Sequence, residues 1–395
     1  MSLLKGQSIW TLPEGIDDIL PAEASRIELC RSHALALMKN WGYQLVYPPI
    51  LEYLDSLLRG MDPELNLNTM KMVDQSSGRT VGVPADITPQ IARIESFMND
   101  RQISRICYAG PVLKANTSRY PGSRNPIQLG AELFGYRGPE SDIEVISLLH
   151  DLLTKLEIDN PVIELSDMGL FRQLCRYASV NGPLENEILD ALLRRDASDL
   201  QSSLSSSSVN SSLRSKFEVL LELNGSLDVL DEAGETFKEL PELSEGIRTL
   251  KYVAEALLEI NPKMDIRIDL SELRGYKYHS SISFMAHVEG LGRPLCWGGR
   301  YEYLSPRTGT FRPGTGFSTD LKSLSRISKL RGDHLHQNIV QAPPIRSDKL
   351  RQFINKLRED GYIVIQQLPG ENFEPPVQNL IVQNEDGGWT LKNAK

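Results

Sequence analysis

Apolar residues along this chain recur with the two periods that separate helices from strands. The helical period is clearest over Pro21–Trp41, where Ile27, Leu29, Cys30, Leu35, Leu37, Met38 and Trp41 fall on or near one stripe and Gly42 ends the run. It returns over Pro89–Met98 and over Asp142–Leu156. The two-residue period is strictest over Ile127–Tyr136, where Ile127, Leu129, Ala131 and Leu133 alternate with Gln128, Gly130, Glu132 and Phe134. This predicts a strand with one face in a core and the other carrying an amide and a carboxylate on either side of a glycine. A solvated face explains those polar groups equally well. The glycine argues for something lying close against the sheet, because it otherwise weakens a strand interior. Further strands are predicted at Tyr43–Leu51, Met70–Val73, Thr80–Val83, Arg105–Leu113, Pro161–Leu165, Asp265–Leu270 and Ser280–His287, with a hairpin around Gln75–Gly78. Lys114–Pro126 is a polar loop. Cys296–Tyr301 and Gly314–Gly316 read as glycine-rich turns, and Thr319–Leu330 as a helix.

The pattern divides the chain. Residues 1–330 form a main domain, within which about 186–260 is helical and reads as an insertion; its Ser-rich stretch Ser202–Ser212 has the composition of a disordered solvent linker. After a linker at Arg331–Asn338, residues 338–395 read as a small α/β module with strands at Ile339–Gln341, Tyr362–Gln366, Asn379–Gln383 and Trp389–Lys392 and a helix at Ser347–Glu359. Leu230–Thr236, LDEAGET, superficially matches a ribose-gripping acidic loop, but the residues before it have helical rather than strand spacing, so it is set aside.

Composition narrows the function classes. The 395 residues are 40% hydrophobic and 24% charged, an ordinary globular balance. A net charge of -9 argues against nucleic acid as a partner, since that footprint needs clustered cations. Cys30, Cys107, Cys175 and Cys296 are scattered without a CxxC pair, which suggests neither a metal knuckle nor a disulfide framework and fits a reducing compartment. The amino terminus lacks a signal-peptide core and no apolar run reaches bilayer length, so no membrane association and a cytoplasmic location are expected.

The stretch Val81–Arg93, VGVPADITPQIAR, carries the first candidate chemistry. Asp86 and Thr88, two apart on an extended segment, point to one side. Thr88-Pro89 is also a good helix start, and from these residues alone capping is the simpler reading.

The order of elements resembles the catalytic domain of class II aminoacyl-tRNA synthetases, and histidyl-tRNA synthetase in particular, over most of Leu12–Leu324. WGYQLVYPPILE is similar to the first class motif, YAGPVLKANTSRYPGSRNPIQLGAELFG to the second and PGTGFSTDLKSL to the third, while LRGYKYHSSISF and WGGRYEYL are similar to the two histidine-specific signatures. The resemblance implies an α+β fold, an antiparallel sheet flanked by helices, and a histidine site made by Asp86, Thr88, Gln128, Glu132, Arg274, Tyr278 and Tyr301. By that implication Asp86 meets the α-ammonium group, Gln128 and Glu132 the ammonium or imidazole, and Arg274 the carboxylate, with Tyr278 and Tyr301 as walls of the ring.

The departures are informative. Lys114 stands where the synthetases have an arginine, and Asn116-Thr117-Ser118 where they have Glu-Arg-Pro. Ser323 replaces the arginine that stacks on ATP, and Lys322 precedes it where an acid belongs. Serine neither pairs with phosphate nor stacks on a purine, and lysine does only part. Adenylation depends on cations aimed at the transition state, so an amino-acid pocket without a competent ATP site is implied. That combination, with ADITPQIAR, resembles the regulatory subunits of ATP phosphoribosyltransferase, although Pro84 stands where both families usually carry arginine. Membership implies no catalytic residues, cofactor or metal of its own, a dimer through the first-motif region, a hetero-octamer with the short catalytic subunit, and feedback inhibition by histidine in histidine biosynthesis. An active histidine–tRNA ligase, or another amino-acid-activating enzyme on the same fold, is the alternative.

Overall fold

The computed structural model describes residues 11–58, 63–98, 102–115, 123–305, 308–330, 339–371 and 377–394. The substituted second-motif run Asn116-Thr117-Ser118 and the Arg331–Asn338 linker lie outside these residues, as do the first ten. Two units result, Met1–Leu330 and Arg331–Lys395.

The first unit begins with α1 (Pro21–Asn40), whose Ile27, Cys30, Ala34 and Met38 are buried at three- and four-residue intervals. The strand expected over Tyr43–Leu51 is much shorter: β1 (Gln44–Leu45) pairs with the sheet and β2 (Glu52–Tyr53) joins a separate one. Pro48 and Pro49 between them offer no backbone donor to a ladder. Short helices α2 (Leu54–Leu57) and α3 (Pro63–Asn68) lead to the hairpin β3 (Met70–Val73) and β4 (Thr80–Val83), and β2, β4 and β3 form a small three-stranded sheet. Then follow α4 (Thr88–Met98), β5 (Ser104–Pro111), β6 (Ile127–Phe134), α5 (Glu140–Lys155) and β7 (Val162–Asp167).

The helical stretch comprises α6 (Met168–Tyr177), α7 (Gly182–Leu193), α8 (Ala197–Ser205) and α9 (Ser211–Val219), the two-residue β8 (Asn224–Gly225), then α10 (Val229–Thr236) and α11 (Pro241–Ile260). The Ser-rich stretch is therefore no disordered linker. Leu200, Leu204 and Val209 are buried, the Asn210 side chain caps α9, and the Arg214 guanidinium donates to the carbonyls of Ser207 and Val209. A few well-spaced apolar residues fix a serine-rich segment once a neighbouring core accepts them.

The unit closes with β9 (Asp265–Asp269), β10 (Ile282–His287), β11 (Cys296–Leu304), β12 (Phe311–Asp320) and α12 (Leu321–Ile327). The main sheet runs β1-β5-β6-β12-β11-β10-β7-β9-β8. It is parallel at β1/β5 and β7/β9 and antiparallel at its other junctions.

Both expected glycine turns lie inside long strands, β11 and β12, in register from Cys296–Thr319 to Leu304–Phe311. The reason is space rather than backbone freedom. A Cβ on Gly316 would collide with the Glu132 carboxylate and one on Gly130 with the Tyr108 hydroxyl, while one on Gly314 would stand 2.8 Å from the Tyr301 ring. Glycines clear the sheet surface so that large polar side chains can lie across it.

The second unit is a four-stranded sheet, β13 (Ile339–Ala342), α13 (Asp348–Glu359), β14 (Ile363–Gln366), β15 (Asn379–Gln383) and β16 (Trp389–Asn393), in the order β14-β13-β15-β16. Leu350, Ile354 and Leu357 of α13 pack on Val340, Ala342, Val364 and Ile381.

Candidate ligand-binding site

The polar face of β6 is buried as deeply as its apolar face: Glu132 is 1% exposed and Gln128 9%. β6 lies between β5 and β12, so Glu132 stands opposite Ile106 on one side and Gly316 on the other. Tyr301 on β11 reaches across the cleared Gly314–Gly316 surface and donates from its hydroxyl to Glu132 Oε2 at 2.8 Å. Thr88 Oγ1 donates to Glu132 Oε1 at 3.1 Å, and the Tyr108 hydroxyl does so at 3.3 Å. Thr88 is the first residue of α4, but its hydroxyl is committed to this cluster instead of the expected cap.

Asp86 has the capping function. Its Oδ1 accepts from the Thr88 amide at 3.0 Å and from Gln128 Nε2 at 2.8 Å, while Gln128 Oε1 accepts from the Ile87 amide at 2.8 Å. Asp86 is thereby held rigidly with carboxylate still presented to the cavity it lines. Tyr278 stacks on Tyr301 with ring centroids 5.2 Å apart. Arg274 stands at the rim, 41% exposed along its side chain and 3.2 Å from Glu272.

All seven expected residues, Asp86, Thr88, Gln128, Glu132, Arg274, Tyr278 and Tyr301, line one cavity of about 420 Å³. That is the size range of small-molecule sites. Burial, reinforced by the charge of Asp86, pushes the Glu132 pKa up to about 8, against the opposing effect of its hydroxyl donors. The cavity thus holds a carboxyl group near its titration point beside a fixed carboxylate, two aromatic walls and a rim guanidinium. Such a set suits a zwitterion carrying a planar ring.

Lys322 and Ser323 do not line the cavity. Lys322 is buried, with Nζ within 3.1 Å of Asn125 Oδ1, 3.2 Å of Ser123 Oγ and 3.4 Å of Asp17 Oδ2, and so anchors the 123–125 segment. Ser323 Oγ donates to Asp320 at 2.9 Å and accepts from Arg293 Nη2 at 2.9 Å.

Sequence reasoning missed Arg293, which lines the cavity together with Lys114 and Arg124. It enters from the β10–β11 connection, where no motif signals it. The cavity therefore retains cations, although Arg124 is tied to the carbonyls of Lys114 and Glu14 at 2.9 and 3.0 Å. His279 was missed as well, despite lying inside the quoted LRGYKYH signature.

The family model for histidyl-tRNA synthetase matches residues 15–324, and that for the ATP phosphoribosyltransferase subunit HisZ C-terminal domain matches residues 337–392. An ATP phosphoribosyltransferase regulatory subunit from Alkalilimnicola ehrlichii is 40% identical over 388 residues, 97% of each chain. The chain belongs to this family of regulatory subunits. A second member, from Pseudomonas paraeruginosa, is 40% identical over 92% of each chain.

Solved structures share the fold. A protein from Bacillus halodurans described as an ATP phosphoribosyltransferase regulatory subunit/histidyl-tRNA synthetase superposes with TM-score 0.81 at 21% identity, covering 93% of this chain and 95% of its own. Histidyl-tRNA synthetase from Nostoc superposes with TM-score 0.76 at 18% identity, covering 97% of each chain. The class II synthetase-like architecture expected from the motifs is thereby established.

Proposed function

We propose that this chain is a non-catalytic subunit that binds histidine in the β6–β11–β12 cavity and regulates a short-form ATP phosphoribosyltransferase, the first step of histidine biosynthesis. The observation that carries the reading is the convergence of seven residues from separate segments on one cavity, in a member of the regulatory-subunit family. Asp86 takes the α-ammonium group, Arg274 the carboxylate, Gln128 and Glu132 the remaining polar hydrogens, and the stacked pair Tyr278 and Tyr301 walls the ring. The catalytic subunit requires this partner in a hetero-octamer, and histidine inhibits by binding the low-activity arrangement more tightly than the active one.

Among the described residues no helix is long and apolar enough to cross a membrane. Self-association is assigned to the first-motif region, where Tyr47, Ile50, Leu51 and Tyr53 are exposed.

The test is reconstitution with a short ATP phosphoribosyltransferase. Turnover of ATP and phosphoribosyl pyrophosphate should rise on adding this chain and fall on adding histidine. A catalytic rate indifferent to this chain would refute the regulatory role. The cations Lys114, Arg124 and Arg293 at the cavity favour one second reading, a residual amino-acid-activating enzyme. Histidine-dependent exchange of pyrophosphate into ATP would establish that reading, and its absence is the expected result.

A further inference from the structure

Arg274, the residue assigned to the ligand's carboxylate, already has a carboxylate beside it. Glu272, two residues earlier in the connection between β9 and β10, holds it twice: Oε1 accepts from the Arg274 amide at 2.9 Å, and Oε2 lies 3.2 Å from guanidinium Nη2. The backbone around the pair is fixed. Leu273 and Tyr276 are buried in the main core, the Tyr276 amide donates to the Leu273 carbonyl at 3.0 Å, and Gly275 has a φ of +83° that favours glycine. The long Arg274 side chain, partly in solvent, is what can move in this segment. Arg274 lines the cavity and Glu272 does not.

The two partners are unequal. The Arg274 side chain is 41% exposed and that of Glu272 only 11%. Burial raises the Glu272 pKa and the negative charges of Glu164 and Asp269 add to the rise, while the amide and guanidinium of Arg274 oppose it. An Arg274 that turned wholly to a ligand would therefore leave a largely buried carboxylate among like charges. An Arg274 whose planar fork served both carboxylates would still bring the ligand's negative charge toward that of Glu272. Either geometry weakens the hold on a ligand carboxylate.

We propose that Glu272 is a positioning residue that sets the affinity of the site: it competes with the carboxylate of the bound amino acid for Arg274, so that the cavity binds an amino acid less tightly than its lining alone would. This rests on the amino-acid reading of the cavity, and the experiment separates the two. Calorimetry on the full chain compares histidine with histidinol, in which an alcohol replaces the carboxylate, for the wild type, Glu272→Gln, Arg274→Gln and the double variant. Glutamine keeps an acceptor for the Arg274 amide and removes the charge.

The expected result is that Glu272→Gln raises the preference for histidine over histidinol by roughly two- to fivefold, the range for a partly exposed ion pair, and leaves the preference unchanged when Arg274 is already glutamine. A merely structural role would alter the binding of both compounds alike and leave their ratio where it was. An unchanged or lowered preference in Glu272→Gln, or the same rise without Arg274, overturns the competition while leaving the amino-acid site standing. A wild type that binds neither compound overturns the amino-acid reading and this inference with it. Should Glu272→Gln fail to fold, Glu272→Asp takes its place: the charge is kept but drawn back from the guanidinium by one methylene, a smaller rise in preference is expected, and no rise overturns the proposal.

Discussion

Glu132 is the residue on which the cavity's electrostatics turn. Its pKa in the fold, about 8 against an ordinary value of 4.5, means that the folded chain retains a proton the unfolded chain releases. This group's contribution to stability is therefore complete below about pH 4.5, declines as pH rises and is lost by about pH 8. The difference in unfolding free energy between wild type and Glu132→Gln, followed by urea titration at several pH values, is expected to show that slope. A cationic ligand that ionises Glu132 must displace its proton, so histidine binding should release protons near neutral pH. Calorimetry in buffers of different ionisation enthalpy measures that release. Asp86→Asn is expected to weaken histidine binding by about 1.5–3 kcal/mol, the worth of a hydrogen bond to a charged group, while unchanged binding would count against the site. Neither the buried Glu132 nor the half-buried Asp86 was distinguishable from a solvated carboxyl along the chain, because alternation shows which residues share a face and not what covers it.

At the scale of elements, the site depends on two strands kept bare by glycine and on one helix clamped at both ends. Gly316→Ala puts a methyl group into the space of the Glu132 carboxylate. A destabilisation of about 1–3 kcal/mol is expected from such overpacking, together with loss of histidine binding, as read by denaturant melts and calorimetry. At its start α4 contributes Thr88 to the cavity cluster. Further along, Arg93 binds Glu52 of the small sheet, and the buried Glu95 accepts from Arg312 at 2.8 Å, from Ser104 at 2.8 Å and from the Tyr303 hydroxyl. Glu95→Ala leaves that guanidinium poorly matched and is expected to cost about 3–5 kcal/mol, measured as a shift of the urea midpoint. The hairpin, α1 and β6 could be recognised locally, since each carries its own period. β11 and β12 could not, because the glycines that make them compatible with Tyr301 and Glu132 look like turn residues until the partner strand is in view.

For the whole molecule, the residues that line the cavity all fall between Ala85 and Asp320, inside the first unit. Residues 1–330 expressed alone are therefore expected to bind histidine as the full chain does, with any effect of removing the second unit confined to control of the catalytic partner. Substituting Ile50 and Leu51 by aspartate should convert a dimer to a monomer in sedimentation velocity if the first-motif face is the interface.

The linear chain determined the periodic elements, the division near residue 330 and, through its motifs, the family and seven residues that line one cavity; these depend on local spacing and on side chains that stand in order. Only the tertiary structure decided that the polar face of β6 is enclosed, that the Ser-rich stretch packs on a core across the end of α8 and the start of α9 and that Lys322 anchors a loop. The appearance of Arg293 and His279 beside the cavity was likewise decided there. Burial and proximity between residues far apart in sequence are properties of the packed sheet, and no local pattern encodes them.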